Sequence, residues 1–156
     1  MAKKRRKPRV YLDTSCIGRI LDGSGDARDA LLALLASIQY KQLVFVSSAW
    51  LLRELSDTEP VSDRIQLTAA VPKGEWVQWD RTLARHAQRL VIPLQLDDDP
   101  SGVADCRHVA SAPKGQAEYL ITHDSRFFEA MRQSGKLIAP LRPARLVQWQ
   151  EDVYGS

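Results

Sequence analysis

The chain has 156 residues, of which 44% are hydrophobic and 26% are charged, as expected of a globular domain with one core. No apolar run approaches the roughly 20 residues that cross a bilayer, and no apolar stretch follows the charged start as in a secretory signal. Cys16 and Cys106 form neither a disulfide framework nor a zinc-ligand pattern. We therefore expect a cytoplasmic protein without a membrane partner.

The positive charge is concentrated near the start of the chain. The stretch from Lys3 to Arg9 holds six basic side chains, and without them the net charge of +3 becomes −3. Clustered Lys and Arg gain affinity for nucleic acid by releasing counterions, but a frayed, solvated terminus has the same composition. We predict a basic N-terminal tail at residues 1–8 and a folded domain at residues 9–156, and both roles of the tail stay open.

Short apolar runs alternate with amphipathic segments in the first half of the chain. We predict strands at RVYLD and LVFVS, and a turn or helix through SCIGRILDG that Gly23 ends. Helices are predicted at ARDALLALLASIQY, with Asp26 as its cap, and at AWLLRELSD, with Ser48 as its cap.

The second half continues the alternation. We predict helices at VSDRIQLTAAV, at VQWDRTLARHAQRLV and at VADCRHVASA, where Pro113 ends the helix, with a loop at IPLQLDDDPSG. The run YLIT predicts a buried strand, FFEAMRQSG a helix ended by Gly135, KLIAPL a last strand, and PARLVQWQEDV a terminal helix begun by Pro143. Alternating strands and helices indicate an α/β fold with a central parallel sheet.

Two aspartates directly follow predicted strands. Asp13 ends VYLD, and Asp124 comes two residues after Thr122 at the end of YLIT. A single aspartate at such a position is most often a turn residue or a helix cap. Ligands of open parallel sheets, however, bind beyond the carboxyl ends of the strands, and both carboxylates would reach that edge.

Two further acids lie on predicted helices. Glu54 is four residues after Trp50, and Asp105 flanks the apolar positions of VADCRHVASA. The simplest interpretation is that both are border residues with solvated carboxylates. If all four acids converged, each close pair would repel by about 4 kcal/mol at an effective dielectric near 20. Such a cluster needs protons or cations, and hard carboxylate oxygens suit Mg²⁺ or Mn²⁺ together with substrate phosphates.

Four segments of the chain, in order, resemble the signature segments of the PIN-domain nucleases. They are VYLDTS, LLRELSD, ADCRHVASA and LITHDSRFF, and they span most of the chain. The resemblance implies a three-layer α/β/α PIN-like fold over residues 9–156. It also implies that Asp13, Glu54, Asp105 and Asp124 are the catalytic, metal-binding acids, with Asp13 and Asp105 the strongest candidates and Asp124 bound directly or through water. Thr14, Ser15 and Thr122 would orient a carboxylate or a phosphate.

The function implied by the resemblance is hydrolysis of RNA phosphodiester bonds by an endoribonuclease that uses one or two Mg²⁺ or Mn²⁺ ions. A free-standing PIN domain of this length most resembles the VapC-type toxins of type II toxin–antitoxin pairs. That likeness implies an RNA substrate, a small antitoxin partner and a homodimer. The alternatives are a catalytically silent PIN-like binding module and a PIN nuclease of RNA processing that has no antitoxin.

Several other features have ordinary structural explanations. The acidic run Asp97, Asp98 and Asp99 is more typical of a helix start than of a metal site. We expect both cysteines to be small core residues and His108 to be a packed structural histidine rather than a base. Trp50, Trp76, Trp79 and Trp149 could stack on bases, but core or interface packing is the commoner role. A phosphotransfer role for Asp13 would need a second aspartate where Ser15 stands.

Overall fold

Five short strands form the centre of the molecule in the computed structural model, which describes residues 6–155. The sheet has the order β3-β2-β1-β4-β5, and every neighbouring pair is parallel. The carboxyl ends of all strands therefore lie along one edge. The strands are β1 Arg9–Leu12, β2 Val44–Ser48, β3 Glu75–Val77, β4 Tyr119–Thr122 and β5 Arg142–Arg145.

Helices connect the strands and cover both faces of the sheet. None of the described helices is long and apolar enough to cross a membrane. Two 3-10 helices, Gly18–Leu21 and Leu146–Gln148, accompany the α-helices. The α-helices are α1 Thr14–Ile17, α2 Asp26–Gln39, α3 Ala49–Ser56, α4 Val61–Ala70, α5 Arg81–Leu90, α6 Pro100–Lys114, α7 Ser125–Gln133, α8 Gly135–Ile138 and α9 Trp149–Tyr154.

Side chains of the central strands alternate between two apolar clusters. In β1, Val10 and Leu12 pack with residues of α2, α3 and α9, whereas Tyr11 packs with residues of α5, α6 and α7. Successive side chains of a strand point to opposite faces, so a strand that is apolar throughout must be covered on both. The predicted α/β fold with a central parallel sheet is confirmed, and its layers are helix, sheet and helix.

Side-chain caps mark the starts of five helices. Asp13, Ser48, Asp80, Asp99 and Asp124 each accept a hydrogen bond from the backbone N–H three residues later. Such a bond satisfies one of the donors left free in the first turn of a helix. The predicted cap at Ser48 is confirmed, whereas α2 begins at Asp26 with Gly25 as its cap.

The long helix predicted at VQWDRTLARHAQRLV was wrong in its first part. Residues Glu75–Val77 form the edge strand β3, which pairs with β2, and the helix begins only at Arg81 after the Asp80 cap. A strand of three residues with two exposed side chains has no period-two pattern that sequence could reveal. Pairing with the β2 backbone is what makes it a strand.

Four predictions in the last third of the chain were also wrong. Helix α6 continues through Pro113 to Lys114. Helix α7 ends at Gln133, and Gly135 begins the short helix α8. KLIAPL is not a strand. The last strand is β5, which includes Pro143, so Pro143 does not begin a terminal helix. A proline is tolerated in β5 because this strand lies at the edge of the sheet and needs no N–H on its open side.

Part of the predicted basic tail at residues 1–8 lies outside the described residues, which begin at Arg6. Arg6 Nε lies 4.0 Å from a carboxylate oxygen of Glu118, and both side chains are largely exposed. Exposed pairs at such distances contribute little to stability.

Candidate functional site

Asp13 is buried at the carboxyl end of β1, with 2% of its surface exposed. Its Oδ1 accepts hydrogen bonds from Ser15 Oγ at 2.6 Å and from the Cys16 backbone N–H at 3.2 Å. Its Oδ2 accepts one from Thr122 Oγ1 at 2.6 Å. Burial raises the pKa of Asp13, and these hydrogen bonds oppose that effect. The carboxylate is therefore held in one orientation by residues of β1, α1 and β4.

The Ser15 and Thr122 hydroxyls also link Asp13 to the neighbouring strand end. Ser15 Oγ and Thr122 Oγ1 lie 3.2 Å apart, and the backbone N–H of His123 donates to Ser15 Oγ at 2.9 Å. The N–H of Asp124 donates to Thr122 Oγ1 at 3.0 Å. The half-buried Asp124 carboxylate accepts the N–H of Phe127, so Asp124 is also the cap of α7.

A chain of buried hydrogen bonds holds Glu54. His108 Nε2 contacts Glu54 Oε1, and because a carboxylate can only accept, this ring nitrogen carries the proton. His108 Nδ1 is then free to accept from the Tyr11 hydroxyl, 2.6 Å away. The Ser48 hydroxyl lies 2.7 Å from the Tyr11 oxygen and can donate to it while accepting the N–H of Leu51.

This chain of hydrogen bonds connects β1, β2, α3 and α6. None of the buried polar atoms that belong to it is left unpaired. His108 is fully buried, as expected for a structural histidine. Thr14 Oγ1 also donates to Glu54 Oε1, at 3.4 Å. These hydrogen bonds were not predicted from the sequence, although Tyr11 gave a signal for them. A tyrosine in the middle of a buried strand must find a partner for its hydroxyl.

Asp105, in the middle of α6, is held quite differently. Its half-buried carboxylate forms no hydrogen bond or ion pair with any residue between 6 and 155. Burial, followed by the negative charges of Asp13, Asp124 and Glu54, raises the pKa of Asp105 to about 8. The three acids act on Asp105 because they are near it, so the structure brings all four predicted acids together at one edge of the sheet.

The four acids do not form a closed metal cage. Within residues 6–155, no group of three His, Cys, Asp or Glu side chains is arranged to hold a metal ion. No described Lys or Arg forms an ion pair with Asp13, Asp105 or Asp124 either. The four acids therefore form an open acidic cluster. Within it, the Asp105 carboxyl has no hydrogen-bond or ion-pair partner among the described residues.

The acidic run Asp97, Asp98 and Asp99 lies near the four acids and has a structural role. Asp99 caps α6 through the N–H of Gly102 at 2.7 Å. Asp98 and Asp99 both form ion pairs with Arg126 of α7. These hydrogen bonds and the Arg126 charge lower the pKa of Asp99. The predicted helix start is confirmed, and two of the three acids already pair with a cation of the chain itself.

The cysteines and tryptophans named in the sequence analysis differ in how deeply they are buried. Cys16 and Cys106 are both buried thiols, as expected for small core residues. Trp149 is in the core, Trp76 is 47% exposed, and Trp50 and Trp79 contact each other.

Comparisons with known proteins identify no relative. No protein-family model matches the chain, and no curated protein sequence matches it.

Proposed function

We propose that this protein is a divalent-metal-dependent endoribonuclease of the PIN-domain type. The carrying observation is the group of four acids at the strand-end edge, where no described Lys or Arg pairs with Asp13, Asp105 or Asp124. Burial and the neighbouring carboxylates raise the pKa of Asp105 there to about 8. Strongly perturbed titratable groups at a strand-end edge are typical of functional sites. The four segments that resemble PIN-domain nucleases contribute these same acids.

The donor chemistry of the cluster fits Mg²⁺ or Mn²⁺. Both ions prefer carboxylate oxygens, and Mg²⁺ is commonly bound by one or two carboxylates while it keeps several waters. A cage of three ligands is therefore not required. Asp105 and Asp13 are the residues that would hold the ion, with Asp124 and Glu54 beside them. When bound, such an ion supplies Lewis-acid stabilisation of a phosphodiester and raises the acidity of water.

The protein's own residues would orient the reacting groups. Ser15 and Thr122 fix both oxygens of Asp13, and His108 fixes Glu54, so these carboxylates need not reorganise when a substrate binds. The pKa of Asp105 is about 8 in the absence of a cation, and a divalent ion bound beside it would favour the ionised carboxylate. No nucleophilic side chain is needed for hydrolysis by water.

We further propose a VapC-type role, in which the RNA-cleaving chain is a cytoplasmic homodimer inhibited by a small antitoxin. The support is the resemblance of a domain of this length to such toxins, together with an acidic edge suited to a basic segment of a partner. A small neighbouring gene encoding a DNA-binding protein with a basic C-terminal segment would favour this role over RNA processing. Its absence would favour processing without an antitoxin.

Cleavage of single-stranded RNA by purified protein tests the enzyme assignment. Wild type, Asp105→Asn, Asp13→Asn and the control Asp97→Asn would be prepared in parallel and incubated with Mg²⁺, Mn²⁺ or EDTA. Asp97 is exposed and far less constrained than the four acids, so its variant controls for loss of one acid. We expect divalent-dependent cleavage by wild type and control, and a loss of at least about 100-fold in the other two.

Equal cleavage by wild type and Asp105→Asn would overturn the assignment, since it would point to a contaminating nuclease or to another site. RNA binding without any divalent-dependent cleavage would favour the catalytically silent binding module instead. Thermal unfolding of each variant verifies that the comparison is between folded proteins.

A further inference from the structure

A cavity lies between α3, α5, α6 and the segment after β3. Its volume is about 250 Å³. Pockets for drug-sized ligands have roughly 300–1,000 Å³, so this cavity suits a single ring system. Its lining combines aromatic, cationic and amide groups, and the residues used below are Trp50, Arg53, Trp79, Gln88 and Arg107.

Two tryptophan rings form one wall of this cavity. The centroids of Trp50 and Trp79 are 5.3 Å apart, with their planes tilted by 40°. Arg107 Cζ lies 4.2 Å from the centroid of Trp50, and Arg53 Cζ lies 5.7 Å from it. Trp50 is buried, whereas Trp79 is partly exposed and its ring is accessible to a ligand.

A buried donor in the wall has no partner. Trp50 is only 7% exposed, and its indole Nε1 forms no hydrogen bond with the described protein. A buried N–H without a partner costs free energy, because its hydration is lost and not replaced. This buried atom is not exposed to the cavity, so the polar groups available to a ligand are others of the lining. The Gln88 amide supplies a donor and an acceptor there.

The cavity and the acidic cluster lie along the same edge of the sheet. Trp50 follows the carboxyl end of β2 and Trp79 follows that of β3, while Asp13 follows that of β1. With neighbouring strands about 4.8 Å apart, β3 lies about 10 Å from β1. The two sites are also joined through α3 and α6. One turn separates Trp50 from Glu54, and Arg107 is next to His108.

We infer that this cavity binds a nucleobase of a single-stranded RNA, with the base against Trp79 and the Arg53 and Arg107 guanidinium groups near the backbone phosphates. Aromatic rings with neighbouring arginines are the usual means of binding single-stranded nucleic acid without sequence readout. The inference depends on the proposed function for the identity of the ligand. It adds a binding subsite outside the four acids.

The acidic cluster and the cavity carry charges of opposite sign. The acidic cluster repels RNA phosphates unless a cation is present, whereas the cavity lining has two positive groups and no acid. A strand held by its base and adjoining phosphate at this cavity would keep its next linkages close to the acids. Binding would therefore persist without a divalent ion, while cleavage would require one.

Equilibrium binding in EDTA tests the subsite separately from catalysis. The probe is a fluorescein-labelled, single-stranded RNA 12-mer of mixed sequence, and the readout is anisotropy with wild type, Trp79→Leu and Arg107→Gln. Leucine keeps an apolar side chain against the core and removes the aromatic face. We expect Trp79→Leu to weaken binding about tenfold, as typical for the loss of one stacked base, and Arg107→Gln to weaken it severalfold.

Trp76→Leu is the matched control, because Trp76 is exposed on β3 and lies outside the cavity lining. It should bind as wild type does. A second probe, the same strand with abasic positions, should bind more weakly to wild type. Trp79→Leu should then weaken it little further, since there is no base left to stack.

The outcomes separate this inference from the proposed function. RNA binding that depends on Trp79 in a protein unable to cleave would support the subsite and overturn the nuclease assignment. Cleavage that needs Asp105, with unchanged binding in Trp79→Leu, would support the nuclease and overturn the subsite. Equal loss for base-containing and abasic strands would also overturn it, because the cavity would then contact only phosphate. Absence of any RNA binding overturns it in favour of a protein partner.

Discussion

Asp13 and Asp105 belong to the same acidic cluster but are held in opposite ways. Asp13 accepts three hydrogen bonds and caps α1, so it is part of the framework that joins β1 to β4. Asp105 has no described partner and lies in a helix that would form without it. The framework therefore uses the first carboxylate, whereas the second makes no described contact that stabilises the fold.

The largest expected effect on the free energy of unfolding is the difference between the alanine and asparagine variants of Asp13, and the same two substitutions at Asp105 are the comparison. Asparagine can still cap α1 and accept from one hydroxyl, whereas alanine leaves the Ser15, Cys16 and Thr122 donors unpaired. We expect Asp13→Ala to be less stable than Asp13→Asn by about 2–3 kcal/mol in urea unfolding. At Asp105 the order should reverse, with alanine more stable by about 0.5 kcal/mol through its helix propensity.

If alanine and asparagine differed in stability by a similar amount at Asp13 and at Asp105, the idea that only the Asp13 carboxylate is part of the framework would be wrong. Unfolding slopes of all four variants should agree, which verifies that the denatured states are comparable.

The pH dependence of stability should reveal the unpaired Asp105. Its folded pKa of about 8 exceeds the ordinary value of 3.8, so the folded state binds this proton more tightly than the unfolded state does. The stability it contributes is complete below pH 3.8 and is lost progressively as pH rises through 8. Because the carboxyl is partly exposed, we expect Asp105→Asn to be more stable than wild type by about 2 kcal/mol at pH 8.5.

The measurement is the difference in free energy of unfolding between Asp105→Asn and wild type from pH 4 to 8.5. The control Asp97→Asn should differ from wild type by a small amount that hardly varies over this range. A difference for Asp105→Asn that is constant with pH would exclude a raised pKa at this position. Added Mg²⁺ should stabilise wild type more than the variant if the ion binds this carboxylate.

The smallest expected effect concerns the hydrogen-bond chain behind Glu54. Tyr11→Phe keeps the ring in its core position but removes the hydroxyl between Ser48 and His108. His108 Nδ1 loses its donor, and we expect a loss of about 1 kcal/mol in the free energy of unfolding. Tyr40→Phe, at an exposed tyrosine outside this hydrogen-bond chain, is the control and should leave stability unchanged. Stability unchanged in Tyr11→Phe would mean that water replaces the hydroxyl.

The parts of the candidate site that sequence predicted well share one property. Asp13, Ser48 and Asp124 stand at or just after the end of a short strand, and a capping side chain at such a position is a local pattern. The parallel sheet follows from alternation along the chain, so the strand-end acids could be assigned to one edge. Glu54 and Asp105 could be named only through the resemblance, because a border acid on a helix is usually solvated.

Interactions between distant residues were beyond sequence reasoning. Strands β3 and β5 exist because β2 and β4 offer backbone partners, although EWV and RPAR have little strand character of their own. The pairing of Trp50 with Trp79 and the link from Tyr11 through His108 to Glu54 join residues far apart in the chain.

The sequence by itself determined the central strands β1, β2 and β4, the capped helices that follow them and the acids at their ends, since these depend on hydrophobic period and local hydrogen bonding. Only the tertiary structure decided that Asp13 is fully engaged, that Asp105 is left unpaired with a raised pKa, and that a tryptophan-lined cavity lies between α3, α5 and α6. Burial and Coulomb interactions depend on distance through space, and the order of residues along a chain does not specify that distance.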